Sequence, residues 1–319
     1  MRSLVADGNF KADHLKQKND KDDVWLTDGE SYMTARGRYA EHLANSKEVV
    51  EKRTCHRHRA QLNAEASHNS ADCTGIGGNC CARHGCFAPG SLVNFQKGER
   101  QVNMDWSLCE ALATTNVRGL LQLLHIYDIT CQYCRRLLER IAENPLLEIP
   151  EGLELIHGIG LFHVHGHQDQ CLYRWAPTYI PGAGVVDGEI LETLWSVLNT
   201  VSASTRTASL AHRSEILDDH MGDSNFKKML NISELFISTV KVIYLLRWVI
   251  QQLDLSFHVI TGQLKICPRA DMLLNNLTRQ LHQATETFGW QKSRLLNQIV
   301  QLIMRPWMLC SPGLKEVLH

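Results

Sequence analysis

Net charge is what this sequence has least of. Over 319 residues, Lys+Arg 33 meet Asp+Glu 34, which leaves −1. That balance excludes a global attraction to nucleic acid, so any phosphate binding has to come from a local patch. Long apolar runs are missing as well. The most apolar window, "LFISTVKVIYLLRWVI", is too short to cross a bilayer and is interrupted by Lys241 and Arg247, so no membrane partner is expected. The opening "MRSLVADGNF" has no secretory character. Without secretion a disulfide framework is not expected, and the chain reads as intracellular. No internal repeat is found, which removes solenoids and other repeat arrays.

Against those absences stand 11 Cys and 16 His. In a reducing compartment they read as metal ligands or as buried thiols. Hydrophobic residues make up 44%, enough for one large domain or two smaller ones. "SLVAD" predicts a strand ending at Asp7, and "KADHLKQKNDKDDVW" a second strand with a loop. "SYMTARGRYAEHLANSKEVVEKR" has helical spacing. Residues 54–89 lose periodicity and crowd Gly, Asn, Ser, Cys and His, as an inserted loop would. "SLVNF" predicts a strand and "NMDWSLCEALATTN" a helix. "GLLQLLHIYDI" predicts a buried strand ending at Asp128. "CQYCRRLLERIAENP" is a helix stopped by Pro145, "LELIHGIGLFHV" a further strand, and "VDGEILETLWSVLN" a helix. This alternation is an α/β pattern over 1–230. Residues 231–319 read as a separate amphipathic helical tail.

Two predicted strands thus end on single acids, Asp7 and Asp128, and a later helix offers Glu189 and Glu192 on one face. Three carboxylates converging at strand ends suit Mg²⁺ or Mn²⁺, and a pair of such ions activates an attacking hydroxyl on phosphate. The same acids also fit a plainer role, with Asp7 capping a turn, Asp128 capping a helix, and the glutamates solvated in a first turn.

The words around these acids are more specific than their spacing. "DGNFKADHLKQKND", "GIGGNCCARHGCFAPGSLVNFQKGERQVNMDW", "IYDITCQYC", "HVHGHQDQC", "DGEILETLWS" and "LDDHMGDSNFKK" occur in that order. Together they closely resemble the mostly fungal Kyakuja-Dileera-Zisupton (KDZ) transposases, from about Leu4 to Lys228. The resemblance implies an RNase H-like mixed sheet with flanking helices and a D-D-E metal site. It implies nuclear cut-and-paste transposition, with DNA as partner and a homo-oligomer as a further expectation. Asp7, Asp128 and Glu189 fall on the family's acids, with Glu192 as the second choice for the third. Family members carry N-terminal extensions with cysteine-rich modules, whereas here Asp7 comes after only six residues. A truncated or domesticated copy is therefore expected. The alternative is a non-catalytic, zinc-stapled remnant that binds DNA or protein.

Two Cys/His sets invite a structural Zn²⁺. Cys55-x2-His58 and Cys81-x2-His84 have tetrahedral ligand types and spacing, with Cys73, Cys80 and Cys86 as spares. His163, His167 and Cys171 would line one face of a helix and form a second set. Packing thiols and surface histidines remain the plainer reading of both. The CxxC of Cys131 and Cys134 is better explained by helix periodicity. Arg206 and Arg213 follow the acidic helix and are expected to contact DNA phosphates.

Overall fold

The computed structural model describes residues 1–18, 23–47, 55 and 71–232. The chain divides into two compact units, Met1–Leu230 and Asn231–His319. The helical tail expected from residue 231 onward lies outside the described residues, apart from 231 and 232.

Strands are β1 (Arg2–Asn9), β2 (His14–Leu15), β3 (Ala71–Cys73), β4 (Gly75–Cys81), β5 (Val93–Phe95), β6 (Gln122–Tyr127) and β7 (Glu154–Gly158). Helices are α1 (Arg36–Asn45), α2 (Gln101–Thr114), α3 (Thr130–Tyr133), α4 (Leu137–Glu143), α5 (Leu161–Val164), α6 (Asp169–Trp175) and α7 (Ile190–Thr205). Residues 210–232 form α8. Five strands make one mixed sheet in the order β5-β4-β1-β6-β7, and β2 pairs with β3. β4 is antiparallel to both β1 and β5. β6 is parallel to β1 and to β7.

Alternation along β1 splits the core into two layers. Leu4 and Ala6 face a layer built with Trp106, Leu108 and Leu112 of α2 and Leu137 of α4. Val5 faces the other layer, with Leu191, Leu194, Trp195 and Leu198 of α7 and Leu217 of α8. Spacings of three and four along α7 put those apolar residues on one stripe, which is why this sequence segment lies flat on the sheet. Across the first layer, Arg140 of α4 donates two bonds, 2.6 and 2.9 Å long, to the buried carboxylate of Asp105 on α2.

The expected loop over 54–89 contains a correction. Its end, "GIGGNCC", is β4, the strand lying directly against β1. Glycines disguise it, because β propensity is low and period-two alternation is invisible without side chains. They are needed there. A Cβ on Gly78 would lie 2.7 Å from Leu92 Cγ, and one on Gly77 would strike the Phe95 ring. The expected strand "LELIHGIGLFHV" is also shorter than its apolar run. β7 stops at Gly158 and α5 begins at Leu161.

One buried pair gives the fold a pH dependence. His125 of β6 faces its register partner His157 of β7, with ring centroids 6.2 Å apart. Among the described residues neither ring nitrogen of His125 has a hydrogen-bond partner. Burial, and then the neighbouring His157, push the His125 pKa down to about 3. Burial pushes His157 down to about 4. In the unfolded chain both take protons near their ordinary value of 6.5. Their contribution is therefore complete above about pH 6.5 and is lost as pH falls toward the folded values. Between pH 7 and pH 5 the loss is about 2 kcal/mol for His125 and less for the more accessible His157. Urea unfolding at the two pH values checks this. His125→Leu is expected to flatten the pH slope, and an unchanged slope would refute the assignment.

Candidate active site

The two aspartates come together through strand pairing. Ala6 of β1 lies opposite Tyr127 of β6 in a parallel register, so the following residues, Asp7 and Asp128, emerge side by side at the carboxyl ends of neighbouring strands. Such ends, where parallel strands feed loops, are the places where open α/β sheets form sites. Asp7 shares the Val5 face of β1, toward α7. There the indole N–H of Trp195 donates to Asp7 Oδ2 at 2.9 Å.

The third acid is delivered by a glycine-dependent turn. Asp187 Oδ1 accepts from the Glu189 N–H at 3.1 Å. Gly188 has φ +83° and its Cβ position lies 2.9 Å from Gly160 Cα, so only glycine fits both the conformation and the space. Across the gap, a Cβ on Gly160 would collide with the Glu189 carboxylate. Glu189 Oε1 accepts from the Phe162 N–H at 2.9 Å. The "GIG" and "VDGE" segments are thus two halves of one contact. His163 Nε2 stands 2.7 Å from Glu192 Oε1 and 3.4 Å from Glu189 Oε2.

Asp7, Asp128, His163, Glu189 and Glu192 all line one narrow recess. It opens beside a cleft of about 530 Å³ bordered by Asp7, Lys11, Glu99, Asp128, Glu192 and Trp195. The electrostatics are those of crowded acids. Burial, then the charges of Asp128 and Glu99, push the Asp7 carboxyl well above its ordinary value. Glu99 is raised to about 8 by burial and by Asp128. Burial also raises Glu189. For His163 burial acts downward, but the bond to Glu192 and the charges of Asp128 and Glu189 outweigh it and raise the pKa. Carboxylates crowded this closely resist ionising together unless positive charge joins them.

The model of the Kyakuja-Dileera-Zisupton transposase matches residues 1–225. The chain belongs to that family. No curated protein and no solved structure matches it. The KDZ match takes in every strand of the sheet, the recess and the cleft.

A second cluster in this KDZ chain takes one member, Cys131, from three residues beyond Asp128. Cys55, Cys131, His167 and Cys171 are all buried, and their ligand atoms fall within 4.8 Å of one another. His167 Nδ1 is 3.5 Å from Cys55 Sγ and 3.4 Å from Cys131 Sγ. Burial, then the neighbouring thiols Cys171 and Cys55, raise Cys131 to about 12. Three thiols and an imidazole gathered in a dry pocket are a tetrahedral donor set.

This grouping corrects the expected ligand sets. Cys55 joins Cys131, His167 and Cys171, not Cys81 and His84. Those two contact each other at 3.4 Å, Cys81 Sγ to His84 Nδ1, and are not part of the cluster. His58 lies outside the described residues. His163 separates from His167 and Cys171 because no single helix carries all three. α5 ends at Val164 and α6 starts at Asp169, so the supposed common face does not exist. Helix periodicity alone accounts for Cys131 in the sequence, which hides it as a ligand. Its position three residues after Asp128, in a chain with Cys and His to spare, was the available signal.

Arg213 is a further correction. It is fully buried. Its guanidinium donates to Ala12 O at 2.7 Å and to Asn94 Oδ1 at 2.8 Å, so it anchors α8 to the sheet and does not face a phosphate. Arg206 remains on the surface, 2.9 Å from Asp13 Oδ2.

Proposed function

We propose that this KDZ chain is a metal-dependent DNA strand-cleaving and strand-transferring enzyme on an RNase H-like core. The observation that carries the reading is the convergence of Asp7, Asp128 and Glu189 on one recess at the carboxyl ends of adjoining parallel strands. Sheet order supports the fold assignment, since three antiparallel strands are followed by two parallel ones on the far side of β1.

The residues fit a divalent cation pair, being hard oxygen donors in excess of their positive partners. Mg²⁺ or Mn²⁺, when bound, supplies the charge that activates the attacking hydroxyl and stabilises the leaving oxygen. The chain's own part is orientation. Trp195 fixes the rotamer of Asp7, and the Phe162 N–H fixes Glu189. Glu189 is assigned as the third ligand in preference to Glu192, which is more exposed and more closely engaged by His163. The cleft beside the recess leaves room for a phosphodiester, and Lys11 on its wall offers a cation to the backbone. Arg206 is assigned to more distant phosphates. DNA as substrate makes the nucleus its place of action.

The Cys55–Cys131–His167–Cys171 cluster is assigned to a structural Zn²⁺. Tetrahedral bonds of about 2.3 Å to sulfur and 2.0–2.1 Å to nitrogen imply S···N edges of about 3.6 Å, close to the 3.4 and 3.5 Å found.

Nicking of supercoiled plasmid in Mg²⁺ or Mn²⁺ tests the proposal. Asp128→Asn keeps the shape but removes the charge, and is expected to abolish nicking. Equal nicking by both proteins would point to a contaminant. No nicking by folded, zinc-loaded protein would assign the chain to a non-catalytic binding role.

A further inference from the structure

Glu99 lies within one of the quoted family stretches but is not among the residues singled out from the sequence, and it is half-buried at the mouth of the site. It sits in the short connection between β5 and α2, where "QKGER" reads as an ordinary charged turn. Its side chain is held from two sides. The hydroxyl of Tyr127, the residue before Asp128, donates to Glu99 Oε1. Its other oxygen, Oε2, lies over Gly8, the residue after Asp7, and a Cβ there would collide with it. Glu99 thus touches the immediate neighbours of both aspartates, and it lines the cleft together with them.

We propose that Glu99 is a fourth metal-binding carboxylate, completing with Asp7 and Asp128 the cation position that faces the cleft. The inference rests on the active-site reading above and extends it. Two openings meet at the aspartates. The narrow recess carries Glu189 and lacks Glu99, whereas the cleft carries Glu99 and lacks Glu189. Asp7 and Asp128 border both. A pair of cations shared by the aspartates would therefore find a different third carboxylate on each side, Glu189 within the recess and Glu99 toward the cleft.

A merely structural role explains the arrangement poorly. A carboxylate half withdrawn from water and set beside two others is costly unless positive charge joins them. Among the described residues the protein bonds given to Glu99 amount to one phenol, and the charges beside it are those of Asp7 and Asp128. A glutamine would accept the same Tyr127 bond without the charge. The carboxylate has a use only where a cation comes.

The test is Mn²⁺ binding to the full chain, by calorimetric titration with thermal melting measured alongside. Wild type is expected to take two Mn²⁺ per chain. Glu99→Gln is expected to take one with little change in that site's affinity, and to melt at or above the wild-type temperature without Mn²⁺. Glu189→Gln is expected to lose the other site, and the double variant both. Two sites with unaltered affinity in Glu99→Gln would overturn the proposal. A metal-free melting temperature well below wild type, with both Mn²⁺ retained, would make Glu99 structural and overturn it equally. No Mn²⁺ binding by wild type would instead defeat the active-site reading from which the inference starts.

Discussion

Cys171→Ala is expected to purify without zinc, where wild type is expected to carry about one ion per chain, and to melt at a much lower temperature. Structural zinc contributes apparent binding energies of about 10–16 kcal/mol in isolated zinc-finger peptides. Half of that is comparable with the about 5–15 kcal/mol by which a typical domain is folded. The four ligands come from distant parts of the chain, so the loss will not stay local. Cys131 lies three residues beyond Asp128, and His167 lies four beyond His163. Removing zinc therefore loosens the segments that present two residues of the recess, and Mg²⁺-dependent nicking is expected to fall with the zinc content. Metal analysis, melting curves and nicking on one preparation check the three effects together. Cys81→Ala is the control. It is expected to keep its zinc, because Cys81 is not part of the cluster. A zinc-free Cys81→Ala protein, or a zinc-loaded Cys171→Ala protein, would refute the assignment.

Arg213→Ala is expected to cost about 3–5 kcal/mol of stability, as truncating a fully buried charged hydrogen-bonding group does. Two acceptors, Ala12 O and Asn94 Oδ1, lose their donors in a dry interior. The side chain is among the largest of the fully buried ones, so a cavity adds to the penalty. Its position joins α8 to β5 and to the turn after β1, and unfolding by urea should show a lower midpoint with little change in slope. Arg206→Ala, at the surface beside Asp13, is expected to change stability by less than about 1 kcal/mol. Its effect should appear in DNA affinity and in the salt dependence of that affinity. Similar stability losses for the two variants would show that Arg213 is not the buried anchor described.

The different legibility of these residues has physical causes. Asp7 and Asp128 were readable because each ends an apolar run, and a polar group at a strand end breaks a strong pattern. Glu189 and Glu192 were readable as a pair because helix spacing puts them together. Glu99 was not, since it lies in a charged turn where acids are expected and only the fold places it beside the two aspartates. β4 was hidden by its glycines, whose value lies in the space they leave for Phe95 and Leu92. Arg213 looked exposed because a sequence displays charge but not depth. The Cys/His cluster was half legible. Its ligand types were evident, but Cys55, Cys131, His167 and Cys171 are matched by folding and not by spacing, so two local pairs looked like a site when the real partners were far apart.

Trp195 and Glu189 belong to the same rod. Glu189 opens α7 and Trp195 lies six residues along it, about 9 Å farther down the axis. The first reaches the α5 backbone and the second reaches Asp7 on β1. A helix is stiff over that length, so the two grips cannot shift independently. Sliding or tilting α7 would withdraw one acid and unseat another in the same motion. The integrity of the recess is thus set by the seating of one helix against the sheet, with Leu191, Leu194 and Leu198 as the apolar teeth that hold it there.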